Sequence, residues 1–172
     1  MTKHLKRVLA VDPGTRYMGV AVLDGSDLIY YGVKSFKGQR PAIRLLQATK
    51  AALHDLVRRY EPSVLAYEKT FFVQAKASAL LQVQEAEIKA VAKDAGLTLA
   101  GYSPARVRKL LCEDGKATKE KVALVLTRQF PELAGYRGPM SARRARYWLN
   151  MFDALAVAVV CVAEIGREDR VG

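Results

Sequence analysis

Two short apolar runs, each closed by a carboxylate, set the tightest constraint on how this chain folds. Val8-Leu9-Ala10-Val11 runs into Asp12-Pro13-Gly14, and Ser63-Val64-Leu65-Ala66-Tyr67 runs into Glu68. Short apolar runs bounded by turn residues or helix breakers read as buried strands. If the two strands are neighbours, their C-terminal ends lie side by side and the two carboxylates converge. A charge in such a setting is costly unless it is paired or bound to a metal.

The rest of the chain supplies the framework for such a sheet. Tyr17 to Leu23 and Leu28 to Val33 are strand candidates separated by Asp24-Gly25-Ser26. With the first run they predict a meander of antiparallel strands. Pro41 to Tyr60 has mostly helical apolar spacing and is broken by Glu61-Pro62. Residues 74–95 form a long helix candidate with Gly96 as its C-cap. Its apolar and small residues spread around the circumference, which suggests a second partner and hence a homodimer through this helix. Leu97 to Gly101 is a fifth strand. Ser103-Pro104 opens a helix toward Leu111, and Thr118 caps another that runs to Phe130. Ala134 to Arg146 reads as a loop, and Trp148 to Ile165 as a strongly apolar last helix. The expected fold is a single α/β domain over residues 1–172, a mixed five-stranded sheet flanked by helices on both faces.

Charge points to the partner. The 172 residues hold 28 Lys+Arg against 17 Asp+Glu, a net +11. Residues 101–149 hold eleven Lys/Arg and four Asp/Glu, a net +7 in under a third of the chain. A clustered excess of this kind suits a polyanion such as nucleic acid. No stretch of about 18 uncharged apolar residues exists, and Met1 to Arg7 lacks the apolar core of a signal peptide. No membrane association is expected. Cys112 and Cys161 form neither a disulfide framework nor a metal-ligand pair, so a reducing cytoplasm is the simplest setting.

The chemistry gathers on three carboxylates. Asp12 and Glu68 end strands, and Asp153 interrupts Phe152-Asp153-Ala154-Leu155 in the first turns of the last helix. Taken singly, Asp12 could make an Asx turn, Glu68 could pair with a Lys or Arg, and Asp153 could cap its helix. Together they form a specific pattern. Clustered carboxylates repel, and a hard dication such as Mg²⁺ relieves that repulsion through carboxylate and water oxygens. Two such ions about 4 Å apart activate a water and stabilise the leaving oxygen of a phosphodiester.

The sequence here resembles a family. Val11-Asp12-Pro13-Gly14-Thr15-Arg16 is similar to the first-strand motif of RuvC-type Holliday junction resolvases, within the ribonuclease H-like superfamily. Ala66-Tyr67-Glu68-Lys69-Thr70-Phe71-Phe72 resembles their second motif, and Asp153-Ala154-Leu155-Ala156 their last. Gly115-Lys116-Ala117-Thr118-Lys119 resembles the basic turn before a DNA-contacting helix. The resemblance implies a homodimer that binds a four-way DNA junction. It implies Mg²⁺-dependent nicking, with Mn²⁺ able to substitute and two ions per site. Asp12, Glu68 and Asp153 match metal ligands, Lys119 a basic residue near the scissile phosphate, and Phe71 an aromatic that stacks on a base. Phe72, Lys69, Lys76, Lys116, Arg106 and Arg137 complete the expected DNA-facing set.

Two features depart from that family. Its fourth acidic or histidine ligand lies three residues before the final Asp, and here that position is Asn150. The i, i+3 spacing keeps it on the face of Asp153. An amide oxygen can still ligate a metal, but brings no charge; equally, Asn150 could simply cap the helix. The segment up to Arg146 is also longer and more basic than the resemblance leads one to expect. Arg143, Arg144 and Arg146 are expected near substrate phosphates. If about five phosphates are neutralised, log K falls with log salt at a slope of roughly −4.5. The competing readings are a YqgF-like or other ribonuclease H-like nuclease acting on RNA or simpler branched DNA, and a non-catalytic junction-binding protein.

Overall fold

The computed structural model describes residues 6–39, 41–70, 75–138 and 141–171, the side chains of 75–78 and 169–171 excepted. Three antiparallel strands come first: β1 (Arg7–Asp12), β2 (Tyr17–Asp24) and β3 (Asp27–Ser35). Helix α1 (Ala42–Tyr60), strand β4 (Val64–Glu68), helix α2 (Ala75–Asp94) and strand β5 (Thr98–Tyr102) follow. Helices α3 (Pro104–Cys112) and α4 (Lys119–Gln129), a 3-10 helix at Pro131–Tyr136, and helix α5 (Ala142–Val171) complete the order. The sheet runs β3-β2-β1-β4-β5, with β4 parallel to both β1 and β5. The expected meander and mixed five-stranded sheet are both present.

Strand alternation divides the core between two faces. Val8, Ala10, Ala21, Leu23, Val64 and Ala66 share a cluster with apolar residues of α3, α4 and α5. Leu9, Val11, Met18, Val20, Val22, Leu65 and Tyr67 share the other with α1 and α2. The central strands are therefore covered on both sides, which is why they read as continuous apolar runs rather than alternating ones.

The punctuation expected of the helices holds. The Ser103 hydroxyl accepts the Arg106 N–H at 3.2 Å, with Pro104 in the first turn. Thr118 accepts the Lys121 N–H at 3.2 Å. Gly96 takes φ +67° just beyond α2, the left-handed cap that costs glycine little.

The start of the last helix differs from expectation. Part of the predicted loop is the 3-10 helix, and α5 begins at Ala142 rather than Trp148. The Ser141 hydroxyl accepts the Arg144 N–H at 3.3 Å and caps it. Edge-to-face contacts hold the extra turns in place: Trp148 on Tyr136 at 4.5 Å, Trp148 on Tyr147 at 4.9 Å, and Tyr147 on Tyr17 at 5.1 Å. A run of arginines has no apolar period, so periodicity could not reveal this turn as helical. By length and composition α5 could cross a membrane. Instead, Met151 to Ala158 are buried against the sheet and its neighbouring helices.

Gly19 allows the closest approach in the fold. It pairs with Asp12 across β1 and β2. A Cβ there would lie 1.7 Å from the Asn150 carbonyl oxygen on α5. Only a residue without a side chain lets helix backbone and strand backbone cross at this distance.

Candidate metal centre and its basic flanks

Alternation along β1 and β4 aims two carboxylates at one helix. Ala10 and Ala66 are register partners and both lie on the α5 face. Two residues further along each strand, Asp12 and Glu68 follow them onto that face. On the facing helix Asp153 is 7% exposed. Lys119, at the first turn of α4, donates a hydrogen bond to the Asp153 carboxylate.

Three carboxylates against one ammonium leave the site under-neutralised. Burial, then the charges of Asp153 and Glu68, push Asp12 well above the usual carboxylate range, with Lys119 opposing. Burial and Asp153 raise Glu68 to about 7, against the pull of Lys119 and Arg108. Burial likewise raises Asp153, although Lys119 and Arg108 hold it down. Lys119 is raised by the same carboxylates despite its own desolvation. The donor set is all oxygen, anionic and short of positive charge, which suits a hard dication. Among the described residues, no three Asp, Glu, His or Cys side chains yet stand close enough to form a finished ligand shell. The Asp153 carboxylate is instead engaged by Lys119.

These shifts have a consequence for stability. A carboxylate whose pKa rises on folding supports the fold below its unfolded pKa and withdraws that support as pH rises through its folded pKa. In chelator, the chain is expected to lose stability between about pH 4.5 and about pH 7 through Glu68. Melting curves of the parent and Glu68→Gln across that range report the contribution of Glu68 together with its effect on Asp12, whose pKa it helps to raise. A flat difference curve would remove Glu68 from the coupled cluster.

Asn150 is the remaining candidate ligand. It lies well inside α5, so it is not a helix cap. Its amide nitrogen donates to the carbonyls of Arg146 at 3.3 Å and Tyr147 at 3.0 Å. It lines a cleft of about 930 Å³ together with Arg16, Tyr17, Lys37, Arg143, Arg144 and Arg146, with no acidic residue in the lining. The arginines expected near substrate phosphates thus line this cleft from helix α5 instead of from a loop. Arg16 and Lys37 join them from the turn after β1 and the segment after β3, and both approach the Tyr17 ring, at 5.8 and 5.4 Å. A hydrogen bond from Lys37 lowers the Tyr17 pKa despite opposing desolvation.

The other expected DNA-facing residues divide. Lys69 and Lys116 are exposed. Arg137 is exposed and its guanidinium reaches only Thr127, at 3.5 Å. Arg106 is committed elsewhere: it pairs with Glu164 of α5 at 2.5 Å and lies over the Tyr102 ring. Its ion pair ties α3 to α5. Phe71 and Phe72 fall outside the described residues, as does the side chain of Lys76. Sequence reasoning missed Arg108, whose guanidinium donates to the Gly115 carbonyl at 3.0 Å and whose charge reaches Glu68 and Asp153. It also missed Arg16, Tyr17 and Lys37. Their only signal was proximity in sequence to Asp12 or to a strand end.

The family model described as crossover junction endodeoxyribonuclease RuvC matches residues 8–161. The chain belongs to the RuvC family. A family relative from Gluconacetobacter diazotrophicus, a crossover junction endodeoxyribonuclease, is 32% identical over 89% of this chain and 88% of its own length. One from Myxococcus xanthus is 35% identical over 94% of this chain and 82% of its own. Among solved structures, Thermus thermophilus RuvC superposes with a TM-score of 0.67 at 22% identity, covering 91% of this chain and 97% of that one. The yeast mitochondrial Holliday junction resolvase Ydc2 gives 0.67 at 11% identity, over 90% of this chain and 76% of that one. The ribonuclease H-like arrangement of sheet and helices is therefore shared with these RuvC-type and related proteins.

Proposed function

We propose that this chain is a structure-selective endodeoxyribonuclease that resolves four-way DNA junctions, with Asp12, Glu68 and Asp153 as its metal-binding carboxylates. The observation that carries the reading is the under-neutralised carboxylate trio beside Lys119, within a chain of the RuvC family. A bound divalent ion lowers the pKa of an attacking water and screens the negative charge of the phosphodiester. Mg²⁺ or Mn²⁺ fits the oxygen donors; two such ions carry more charge than three carboxylates, and the substrate phosphodiester would supply the remainder. Asp12 and Glu68 supply ligands from adjacent strand ends, and Asp153 from the opposing helix. With a dication held by Asp153, Lys119 would be the cation available to face the scissile phosphate. The Asn150 nitrogen donates into its own helix, which leaves its carbonyl oxygen as the ligand atom this position could offer. Retention of the three carboxylates favours a catalytic protein over a non-catalytic junction binder.

The basic cleft beside the trio offers a path for the substrate backbone. Arg16, Lys37, Arg143, Arg144 and Arg146 present guanidinium and ammonium groups there without a competing acid. Helix α2 supports a homodimer: Ile88, Val91 and Ala92 are buried inward while Val83 is 46% exposed. The free thiols of Cys112 and Cys161 suit a reducing compartment.

Cleavage of a four-way junction, a linear duplex and an RNA–DNA hybrid, with and without Mg²⁺ or Mn²⁺, tests the reading. Symmetric nicking of the junction in the presence of metal is expected. Preference for the hybrid would favour a ribonuclease instead. For the cleft, replacing Arg143, Arg144 and Arg146 together by alanine is expected to flatten the salt dependence of junction binding by about 2.7 in slope. An unchanged slope in an anisotropy titration would take the cleft out of the binding surface.

A further inference from the structure

Consecutive residues of α2 hold the two turns that carry strand carboxylates. Gln84 is fully buried. Its amide nitrogen donates to the Gly14 carbonyl at 3.3 Å and to the Thr49 hydroxyl at 3.0 Å. Thr49 in turn donates to the Leu45 carbonyl at 2.9 Å, so α1 anchors the link. Gly14 closes the Asp12-Pro13-Gly14 turn, where a Cβ would lie 2.1 Å from the Tyr17 carbonyl oxygen. That turn is too tight to relax by small steps.

The neighbouring Glu85 holds the other turn. Its carboxylate accepts the Tyr67 hydroxyl and the Thr70 N–H, each at 3.2 Å, and pairs with Lys89 at 2.9 Å. Tyr67 precedes Glu68 and Thr70 follows it by two. The Lys69 N–H, bonded to the Tyr102 carbonyl at 2.7 Å, fixes the same turn from β5. The Gln84 carbonyl oxygen is buried and finds no partner among the described residues. A buried amide that leaves its acceptor unpaired is a cost, and apolar residues of similar size would avoid it. The donor half of Gln84 is what the site uses.

We infer that Gln84 and Glu85 are positioning residues: one turn of α2 sets the separation of Asp12 and Glu68, and through it the affinity for the divalent ion. The inference rests on the carboxylate trio being the metal centre. It also gives α2 a direct line to the site, so a partner docked on that helix would bias both carboxylates together. Hydrogen-bonded groups around metal ligands commonly change metal affinity by about 10–100-fold when removed.

Mn²⁺ binding to the DNA-free protein, followed by calorimetry, tests it. Gln84→Met keeps the volume, removes the donor and removes the unpaired oxygen. It is expected to weaken Mn²⁺ binding about tenfold while the melting temperature in chelator holds or rises. Glu85→Gln keeps an acceptor for the Thr70 N–H and is expected to retain most of the affinity, whereas Glu85→Leu is expected to lose it. Parental Mn²⁺ affinity in both Gln84→Met and Glu85→Leu would overturn the inference. So would weakened binding that only tracks a lower melting temperature. Asp12→Asn separates the two readings: if it leaves Mn²⁺ binding intact, the metal centre itself is misplaced, whatever the α2 variants do.

Discussion

Asp12→Asn is expected to abolish metal-dependent junction cleavage while raising the stability of the metal-free protein. The change keeps shape and removes one negative charge. On the proposed metal centre, a carboxylate that loses its charge would weaken the hold on the dication. Loss of a single neutral electrostatic donor costs about 10²–10³ in rate, and loss of a charged ligand would cost at least that much. Stability moves the other way because burial, Asp153 and Glu68 all disfavour the Asp12 anion. At pH 8 in chelator the variant is expected to melt higher than the parent. Glu68→Gln should behave alike, because burial and Asp153 raise the Glu68 pKa to about 7. Single-turnover cleavage and melting curves on the same samples check both halves. Cleavage that survives both substitutions would place the chemistry elsewhere. A loss of activity with a fall in stability would mean that the carboxylates serve the fold instead.

Gly19→Ala is expected to be the most damaging small substitution in the core. The added Cβ would meet the Asn150 carbonyl oxygen at 1.7 Å and the Met151 nitrogen at 3.1 Å. Those atoms are backbone in the middle of a helix, so no side-chain rotation relieves the clash. Overpacking a core costs about 1–3 kcal/mol and occasionally more, and a backbone collision belongs at the upper end. A domain stable by about 5–15 kcal/mol would keep roughly 2–12 kcal/mol after such a loss. Where it does fold, α5 must move off β2, and Asp153 moves with it, because it lies one turn beyond Asn150. Denaturant unfolding is therefore expected to show a loss of at least about 3 kcal/mol, and metal-dependent cleavage to fall further than the unfolded fraction explains. Parental stability would mean that β2 and α5 are less tightly apposed.

Much of the fold was legible in the chain because its local signals agree. The strands before Asp12 and Glu68 are apolar throughout, since helices cover both sheet faces. Ser103, Thr118 and Gly96 end their helices where local backbone chemistry dictates. The start of α5 was not legible. Arg143, Arg144 and Arg146 carry no apolar period, and their helical state depends on Trp148, Tyr136 and Tyr147 meeting edge to face. The Arg106 ion pair was hidden for a related reason: an exposed-looking arginine gives no sign that Glu164, 58 residues away, will meet it.

The sequence by itself determined the identity of the three carboxylates and the strand ends that carry two of them. Apolar runs closed by an acid are a local property, and period-two alternation then puts Asp12 and Glu68 on the same side of neighbouring strands. Only the tertiary structure decided what surrounds them. Lys119 meets Asp153, Arg16 and Lys37 join the arginines of α5, and Gln84 reaches Gly14 across 70 residues of chain. Such meetings depend on how helices seat on the sheet. That seating turns on side-chain volume at a few crossings, above all the missing one at Gly19, and no periodicity along the chain encodes it.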